Sequence, residues 1–516
     1  MRSNKGRKIG VVLLALLMAF TLSAGQIAVS QAASPSLKKS KIGLTVGEKY
    51  KLTVKNLPKG AKVTYSSSKK AVAAVSKKGV IKAKSAGKAN IKVTIKKKNK
   101  VIKKLTCKVT VRAVGISEDE PYTPKVDPLF SGDKSAKLDD AFVKQTMNFS
   151  IDLFKASTTS DIAEGDNVLI SSQSVLTDMM MATGGAKGTN LSELEKVMCG
   201  DVGFETFRKS LSDMNARMIY SDPVRFHIAN SVWIRDDADR IQVKQDFLDQ
   251  GLKYYNAESY QLPFDEAMVT KVNDWVNDNT LGMIPKLLDK VPSEDDVMHL
   301  INALAFEGAW ADQYDDYQVL KDQTFKSGSG QEYKVNMLCD KQGAYLKDDN
   351  AVGFTRLYKG GQYSFVAILP DEKLGVEGYL KSMTGDSFTK FYNSREYGAD
   401  VYTRLPEFKY DYNTELNGAL QNMGIKEAFT QAADFSGMAD TKSGALYIGK
   451  VVHKTHIELD KNGTKAAAVT DISMVDATSI QDPKPQINIY LDRPFIYAIV
   501  QTETGLPVFM GVVNKF

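Results

Sequence analysis

Between residues 34 and 113, apolar and polar positions alternate in short runs. Tyr50, Leu52 and Val54 share one side of an extended chain. So do Ala89, Ile91, Val93 and Ile95, and again Leu105, Cys107, Val109 and Val111. A strand turns successive side chains to opposite faces, so a period of two predicts several half-buried strands. Pro58-Lys59-Gly60 and Lys78-Gly79 supply turns, and the expected unit is a small β-sandwich. From Leu138 onwards the pattern is mixed. Ala141 to Phe154 carries Phe142, Met147, Phe149, Ile151 and Phe154 and reads as a helix. Asn167 to Ser174 enters as a short strand, followed by a methionine-rich helix over Val175 to Ala182, whose Met179, Met180 and Met181 are core filler. Helices and strands then follow in irregular order, with strands gathering towards the end, among them Leu446 to Glu458 and Gln486 to Tyr490. That predicts an α+β unit with a large sheet, not a βαβ repeat. Residues 114–137, with Glu118, Asp119, Glu120, Pro121, Pro124, Pro128 and Gly132, read as a linker.

The ends and the charge refine this division. Arg2, Lys5, Arg7 and Lys8 precede an apolar run from Ile9 to Leu22, and Ser30-Gln31-Ala32 offers a cleavage site. Residues 1–32 therefore read as a secretory signal peptide; the run is short for a membrane span. The expected product is secreted, with the cell surface as a second address. Of the net +7, the leader carries +4 and residues 34–113 carry +23, from 24 Lys or Arg against the single acid Glu48. By difference residues 114–516 carry −20, so two modules of opposite sign share one chain. The basic module has no Phe or Trp and only Tyr50 and Tyr65 as aromatics, which argues against a nucleic-acid platform. A solvated charged face and retention on an anionic cell-wall polymer remain as readings of the lysines. The three cysteines, Cys107, Cys199 and Cys339, fit neither a disulfide framework nor a zinc spacing and read as buried or semi-buried fillers.

An enzyme finds little support. The chain has four histidines, His227, His299, His453 and His456, and neither Gly-x-Ser-x-Gly nor His-Glu-x-x-His. His453 and His456 lie three apart in a strand-like run, which puts them on opposite faces and makes a shared metal unexpected. Gly184-Gly-Ala-Lys-Gly-Thr lacks phosphate-loop spacing and reads as a turn. No metal, cofactor or catalytic residue is expected.

The basic module's Leu44-Thr-Val-Gly-Glu-Lys-Tyr, Val63-Thr-Tyr-Ser-Ser-Ser and the run from Val75 to Ile91 resemble bacterial Ig-like domains of group 2. In the main module, residues 138–516, a longer series of segments resembles the serpin family. Asn167-Val-Leu-Ile-Ser-Ser-Gln-Ser-Val-Leu looks like its strand-to-helix segment, with Ser172 where a proline is usual. Gly185-Ala-Lys-Gly-Thr-Asn, then Val272-Asn-Asp-Trp-Val with Thr280, Gly282 and Ile284, follow in family order. Asn302-Ala-Leu-Ala-Phe-Glu-Gly-Ala-Trp, Leu405-Pro-Glu-Phe-Lys, Asp434-Phe-Ser-Gly-Met and Val451-Val-His-Lys come next, and Arg493-Pro-Phe with Pro507-Val-Phe-Met-Gly-Val-Val-Asn closes the series. The resemblance implies three β-sheets, about nine helices, and a main sheet with a gap for one more strand. It implies suicide inhibition of serine proteases by a monomer. It implies a shutter under that sheet built from Ser171, Ser174, Asn302 and His453, and Trp310 at the breach where a strand enters.

The stretch from Asp460 to Thr478 reads as the exposed loop. With Thr464 as the first inward residue, Ala466, Ala468, Thr470, Ile472 and Met474 also point inward, while Lys465, Ala467, Val469, Asp471, Ser473 and Val475 point outward. The inward set is small or apolar and both charges fall on the solvent side. Gly463 is the hinge, with Thr464, Ala466, Ala467, Ala468 and Thr470 forming the segment that enters first. Lys461 and Lys465 stand where the family usually has glutamates; Lys465 faces out, and Lys461 sits where a lost salt bridge would change the speed of insertion. Family spacing puts the scissile bond at Ala477–Thr478, with Met474 and positions as late as Ile480 as alternatives. A small residue there suits elastase-like or subtilisin-like proteases. The competing expectation is a non-inhibitory serpin acting as a binding or surface-adhesion protein.

Overall fold

The computed structural model describes residues 34–45, 49–84, 87–112, 130–237, 239–442, 444–464 and 484–516. They divide near residue 114 into two units. The regular elements of the first, among its described residues, are all strands. One sheet runs, in spatial order, Lys41–Thr45, Lys100–Arg112, Gly87–Lys97 and Lys62–Ser67; a second runs Lys49–Lys51, Val80–Ala83 and Ala73–Val75. The alternation in the sequence is the reason: Ile91, Val93, Ile95, Cys107, Val109 and Val111 turn into one apolar core, and the lysines between them turn out.

The second unit contains, among its described residues, nine α-helices. The first six are α1 (Asp140–Ala163), α2 (Ser172–Thr183), α3 (Gly188–Met198), α4 (Phe204–Ile219), α5 (Gln245–Tyr255) and α6 (Glu266–Asn279). Asp139 caps α1 by accepting from the amides of Ala141 and Phe142. This helix runs nine residues past the apolar pattern. Ser157, Thr158 and Thr159 each return a hydroxyl to the carbonyl four residues earlier, which satisfies them inside the helix, and Ile162 is buried. In α2 the helix begins at Ser172, earlier than its methionine run, because Ser171 caps it. Residues 130–137, placed in the linker by composition, lie against α4: the Asp133 amide donates to Asp213 at 2.7 Å, and any side chain at Gly132 would strike the Ser212 carbonyl.

A six-stranded sheet positions the site. Its strands are β1 (Arg225–Arg235), β2 (Ala257–Leu262), β3 (Met298–Ala309), β4 (Phe408–Glu415), β5 (Val452–Asp460) and β6 (Gly463–Thr464), in the spatial order β2-β1-β3-β6-β5-β4. The short β6 is antiparallel to both neighbours, pairing Thr464 with Gly308 and with Leu459. Beyond it no ladder joins β3 to β5 among the described residues. Leu446 to Val451, expected to be strand, stays outside the ladder; its groups are met singly, the Ile448 amide by the Ala428 carbonyl and the Val451 amide by Asn417. The remaining large sheet has nine strands. Its long strand Glu332–Lys347 pairs with Glu396–Pro406 over most of its length and with Ala351–Leu357 at its far end, so two smaller sheets are joined into one ladder.

Candidate functional site

The chain reverses at Asp460. Its carboxylate Oδ1 accepts from the amides of Asn462 (2.7 Å) and Gly463 (3.2 Å), and Oδ2 from the Asn462 side chain (3.1 Å). Gly463 adopts φ +152°, a conformation that costs little only without a Cβ. Thr464 then drops between β3 and β5, 3% exposed, and its hydroxyl shares a 2.7 Å hydrogen bond with the Tyr358 hydroxyl.

An aromatic stack holds this turn. Trp310 is 1% exposed and lies flat on Tyr358, ring centroids 4.7 Å apart. Its indole N–H donates to the Asp460 carbonyl at 3.0 Å and its amide to the Asn462 carbonyl at 2.9 Å. Gly308 makes room: a Cβ there would lie 2.6 Å from the Phe306 ring and 2.9 Å from Tyr358. Lys461 pairs with Asp316, its carbonyl accepts from the Tyr314 amide, and its amide donates to Glu407 at 3.2 Å. A cation at this position thus keeps an ion pair by finding an aspartate.

Lower in the sheet, the start of α2 spans the two open edges. On the β5 side the Ser171 amide donates to His453 Nε2 at 3.0 Å. The imidazole is therefore an acceptor, and burial pushes its pKa down to about 4, which keeps it neutral. On the β3 side the Ser174 hydroxyl donates to Asn302 Oδ1, and Asn302 Nδ2 donates to Asn230 Oδ1 at 2.6 Å. The four expected shutter residues thus form two half-clusters, one on each edge, joined through a single helix start. Ala466, Ala467, Ala468 and Thr470, and the expected bond between Ala477 and Thr478, lie outside the described residues. His456, expected on the face opposite His453, meets Asp411 at 2.6 Å while His453 is buried.

Sequence reasoning missed Tyr358, Asn230 and above all Asp178. Asp178 Oδ2 accepts from the Asn302 amide at 3.2 Å, and burial pushes its pKa up to about 7. The one available signal was a lone acid among the otherwise uncharged side chains of α2. Cys107 and Cys199 are buried and Cys339 half-buried, all as free thiols. Among the described residues no three His, Cys, Asp or Glu side chains gather as a metal site. The arrangement holds a turn and an edge.

Comparison with known proteins gives the same architecture. Residues 144–516 match the family model Serpin (serine protease inhibitor), and residues 31–109 match the bacterial Ig-like domain (group 2). Iripin-8 of Ixodes ricinus is 30% identical over 362 residues, 67% of this chain and 88% of its own. A serpin-like protein of Methanosarcina mazei is 27% identical over 373 residues, 71% of this chain and 85% of its own. Among solved structures, the thermophilic serpin Tengpin in its native state is 35% identical with a TM-score of 0.68, covering 75% of this chain and 97% of Tengpin. Human thyroxine-binding globulin shares the fold at 20% identity, with a TM-score of 0.63 over 72% of this chain and 98% of its own.

Proposed function

Because the chain belongs to the serpin family and carries a group 2 bacterial Ig-like domain, we propose that it is a secreted suicide-substrate inhibitor of serine proteases. The observation that carries this reading is Thr464, already seated between β3 and β5 with no ladder between those strands beyond it among the described residues. Continuing that register, the sixth residue after Thr464 falls opposite both Asn302 and His453, so one strand would run down the middle of the sheet and over the two half-clusters. The small inward residues Ala466, Ala468 and Thr470 suit such a path.

In this reading the protease serine attacks the carbonyl of Ala477. The bond to Thr478 breaks, its nitrogen leaves with a proton, and the acyl-enzyme forms. The freed segment inserts before water can attack. About 14 residues at about 3.3 Å each carry the attached protease roughly 45 Å. Ladder bonds worth roughly 0.5–1.5 kcal/mol each, with the buried row of side chains, supply on the order of 10 kcal/mol. That is enough to distort the oxyanion hole and triad on which deacylation depends. The inhibitor contributes no catalytic group. Ala477 suits a shallow primary pocket, elastase-like or subtilisin-like. Incubation with each protease, followed by denaturing electrophoresis, should give a stable covalent band and a C-terminal fragment whose mass begins at Thr478. Cleavage without any covalent band across a broad panel would instead make this a non-inhibitory serpin.

A second observation concerns the basic unit. Its strand register places Lys41, Lys62, Lys88, Lys92, Lys96, Lys104 and Lys108 on the exposed face of one four-stranded sheet. Such a single-sign face suits an anionic wall polymer of repeating phosphates and retention of the inhibitor at the cell surface. Replacing the seven lysines with glutamine in the full chain should weaken binding to purified polyglycerol phosphate at least ten-fold, and added salt should erode wild-type binding. Equal loss on replacing seven lysines elsewhere in the unit, or tighter binding to duplex DNA, would remove this reading.

A further inference from the structure

Strand geometry leaves an unanswered question at the middle of β3. Along an unbroken strand the amides of alternate residues point to the same side. The Trp310 amide points towards the β6 side, where it donates to Asn462. The register of β3 with β1 is unbroken from Met298 to Glu307, so Gly308, Phe306, Leu304 and Asn302 point their amides the same way. The Asn302 amide therefore faces the open edge. It is answered by a side chain, Asp178 Oδ2, reaching up from α2. The other carboxylate oxygen, Oδ1, is out of reach of solvent and has no hydrogen-bond partner among the described residues.

We propose that Asp178 is a positioning residue for strand insertion: its carboxylate occupies the place of the missing strand's carbonyl at the middle of the gap. Resting on the insertion reading above, this makes Asp178 a stand-in that an entering strand must displace. The uninserted sheet keeps its central edge amide satisfied. The inserted sheet no longer needs Asp178, because a strand carbonyl takes the same bond. Removing the acceptor therefore penalises only the uninserted state, where a buried N–H is left bare. The residue slows unprompted insertion without weakening the final product.

The surroundings make the group sensitive to protons. From β5, His453 lies under the sheet and is neutral. From β1 and β3, His227, His299 and Glu307 fall on the opposite face by alternation from Asn230 and Asn302. On the α5 side the Tyr255 hydroxyl donates to the Met180 carbonyl, and beyond α3 the Cys199 thiol meets the Met180 sulfur. A carboxyl whose pKa is raised to about 7 keeps its proton in the folded chain from about pH 4, the ordinary carboxylate value, up to 7. The folded state then binds the extra proton, so this group's contribution to stability is present at low pH and lost as pH rises through 7. His453, depressed to about 4 against an ordinary value of about 6.5, works the other way: its contribution is lost as pH falls from 6.5 to 4. Between about pH 4 and 6.5 the two slopes offset.

The test follows loss of protease trapping in the full chain during incubation at elevated temperature. Asp178→Ala should lose it about ten-fold faster than wild type or more, while the melting temperature of the loop-cleaved form stays unchanged. Asp178→Asn, which keeps an oxygen acceptor, should match wild type. It should also uncover the His453 slope, so that stability against denaturant falls more steeply below pH 6.5 than in wild type. Should Asp178→Ala fail to fold, the near-isosteric Asp178→Leu takes its place. An unchanged or slower rate in the acceptor-less variant, or an equal acceleration in Asp178→Asn, would overturn the proposal. Wild-type chain that gains no thermal stability on loop cleavage would instead sink the insertion reading, whatever Asp178 does.

Discussion

A chain carrying Thr464→Arg will be cut by its target protease as fast as wild type and will fail to hold it. Thr464 is the point where the chain crosses from the turn into the sheet. It is enclosed by Gly308 on β3, Leu459 on β5 and the hydroxyl of Tyr358. A threonine fits there with its polar atom paired. A guanidinium would lie buried with no carboxylate among those neighbours, and an unpaired buried charge costs about 3–5 kcal/mol. In the intact chain the cost is avoided if the arginine leaves the sheet for solvent, whereas insertion forces it back in, so the loss falls on insertion; cleavage is spared because the expected bond at Ala477 lies thirteen residues further on. Moles of inhibitor consumed per mole of protease trapped should therefore rise by about two orders of magnitude. Thr464→Ser keeps the hydroxyl and should trap normally, which controls for the bond to Tyr358. One-to-one trapping by the arginine variant would mean that the chain does not enter the sheet at this residue.

The second large effect is thermal. Cutting the wild-type loop anywhere between Met474 and Ile480 frees one end while Gly463 and Thr464 stay in place. Insertion then adds a strand between β3 and β5, and a gain on the order of 10 kcal/mol should raise the melting temperature of a unit this long by roughly 10–15 °C. The intact chain must accordingly be held in its fold by a barrier and not by depth of free energy. Calorimetry on intact and cut chains measures this directly, and the Thr464→Arg chain, once cut, should show little of the rise. A cut wild-type chain that melts with the intact one would contradict insertion however the trapping assay reads.

How much of this was legible beforehand depends on the range of the interaction. The sandwich could be read because alternation is local: Ile91, Val93 and Ile95 declare their common face within five residues. The main sheet was legible through ordered motifs, and Gly308 shows why one of them exists, since any side chain there would collide with Phe306 and Tyr358. The far end of α1 was not legible, because its hydroxyl side chains conceal helix by bonding back to the chain. Nor was the packing of residues 130–137, whose partners on α4 are some 80 positions away. Asp178 was visible as an acid in an apolar helix, but its purpose depends on an amide 124 residues later in the chain. No local pattern states that Asn302 will lie on an open edge. That information exists only once β1, β3 and β5 are assembled.

The stack of Trp310 on Tyr358 has an optical consequence. The chain has three tryptophans, and the other two, Trp233 and Trp275, sit together between β1 and α6 with ring centroids 6.2 Å apart. Trp310 stands apart from that pair, with its indole N–H fixed to the carbonyl of Asp460, where the turn begins. One of the molecule's three indoles is thus wired to the mouth of the gap. With Trp233 and Trp275 replaced by phenylalanine, the remaining indole watches the sheet from inside, and the timing of insertion can be read in stopped flow with no attached dye.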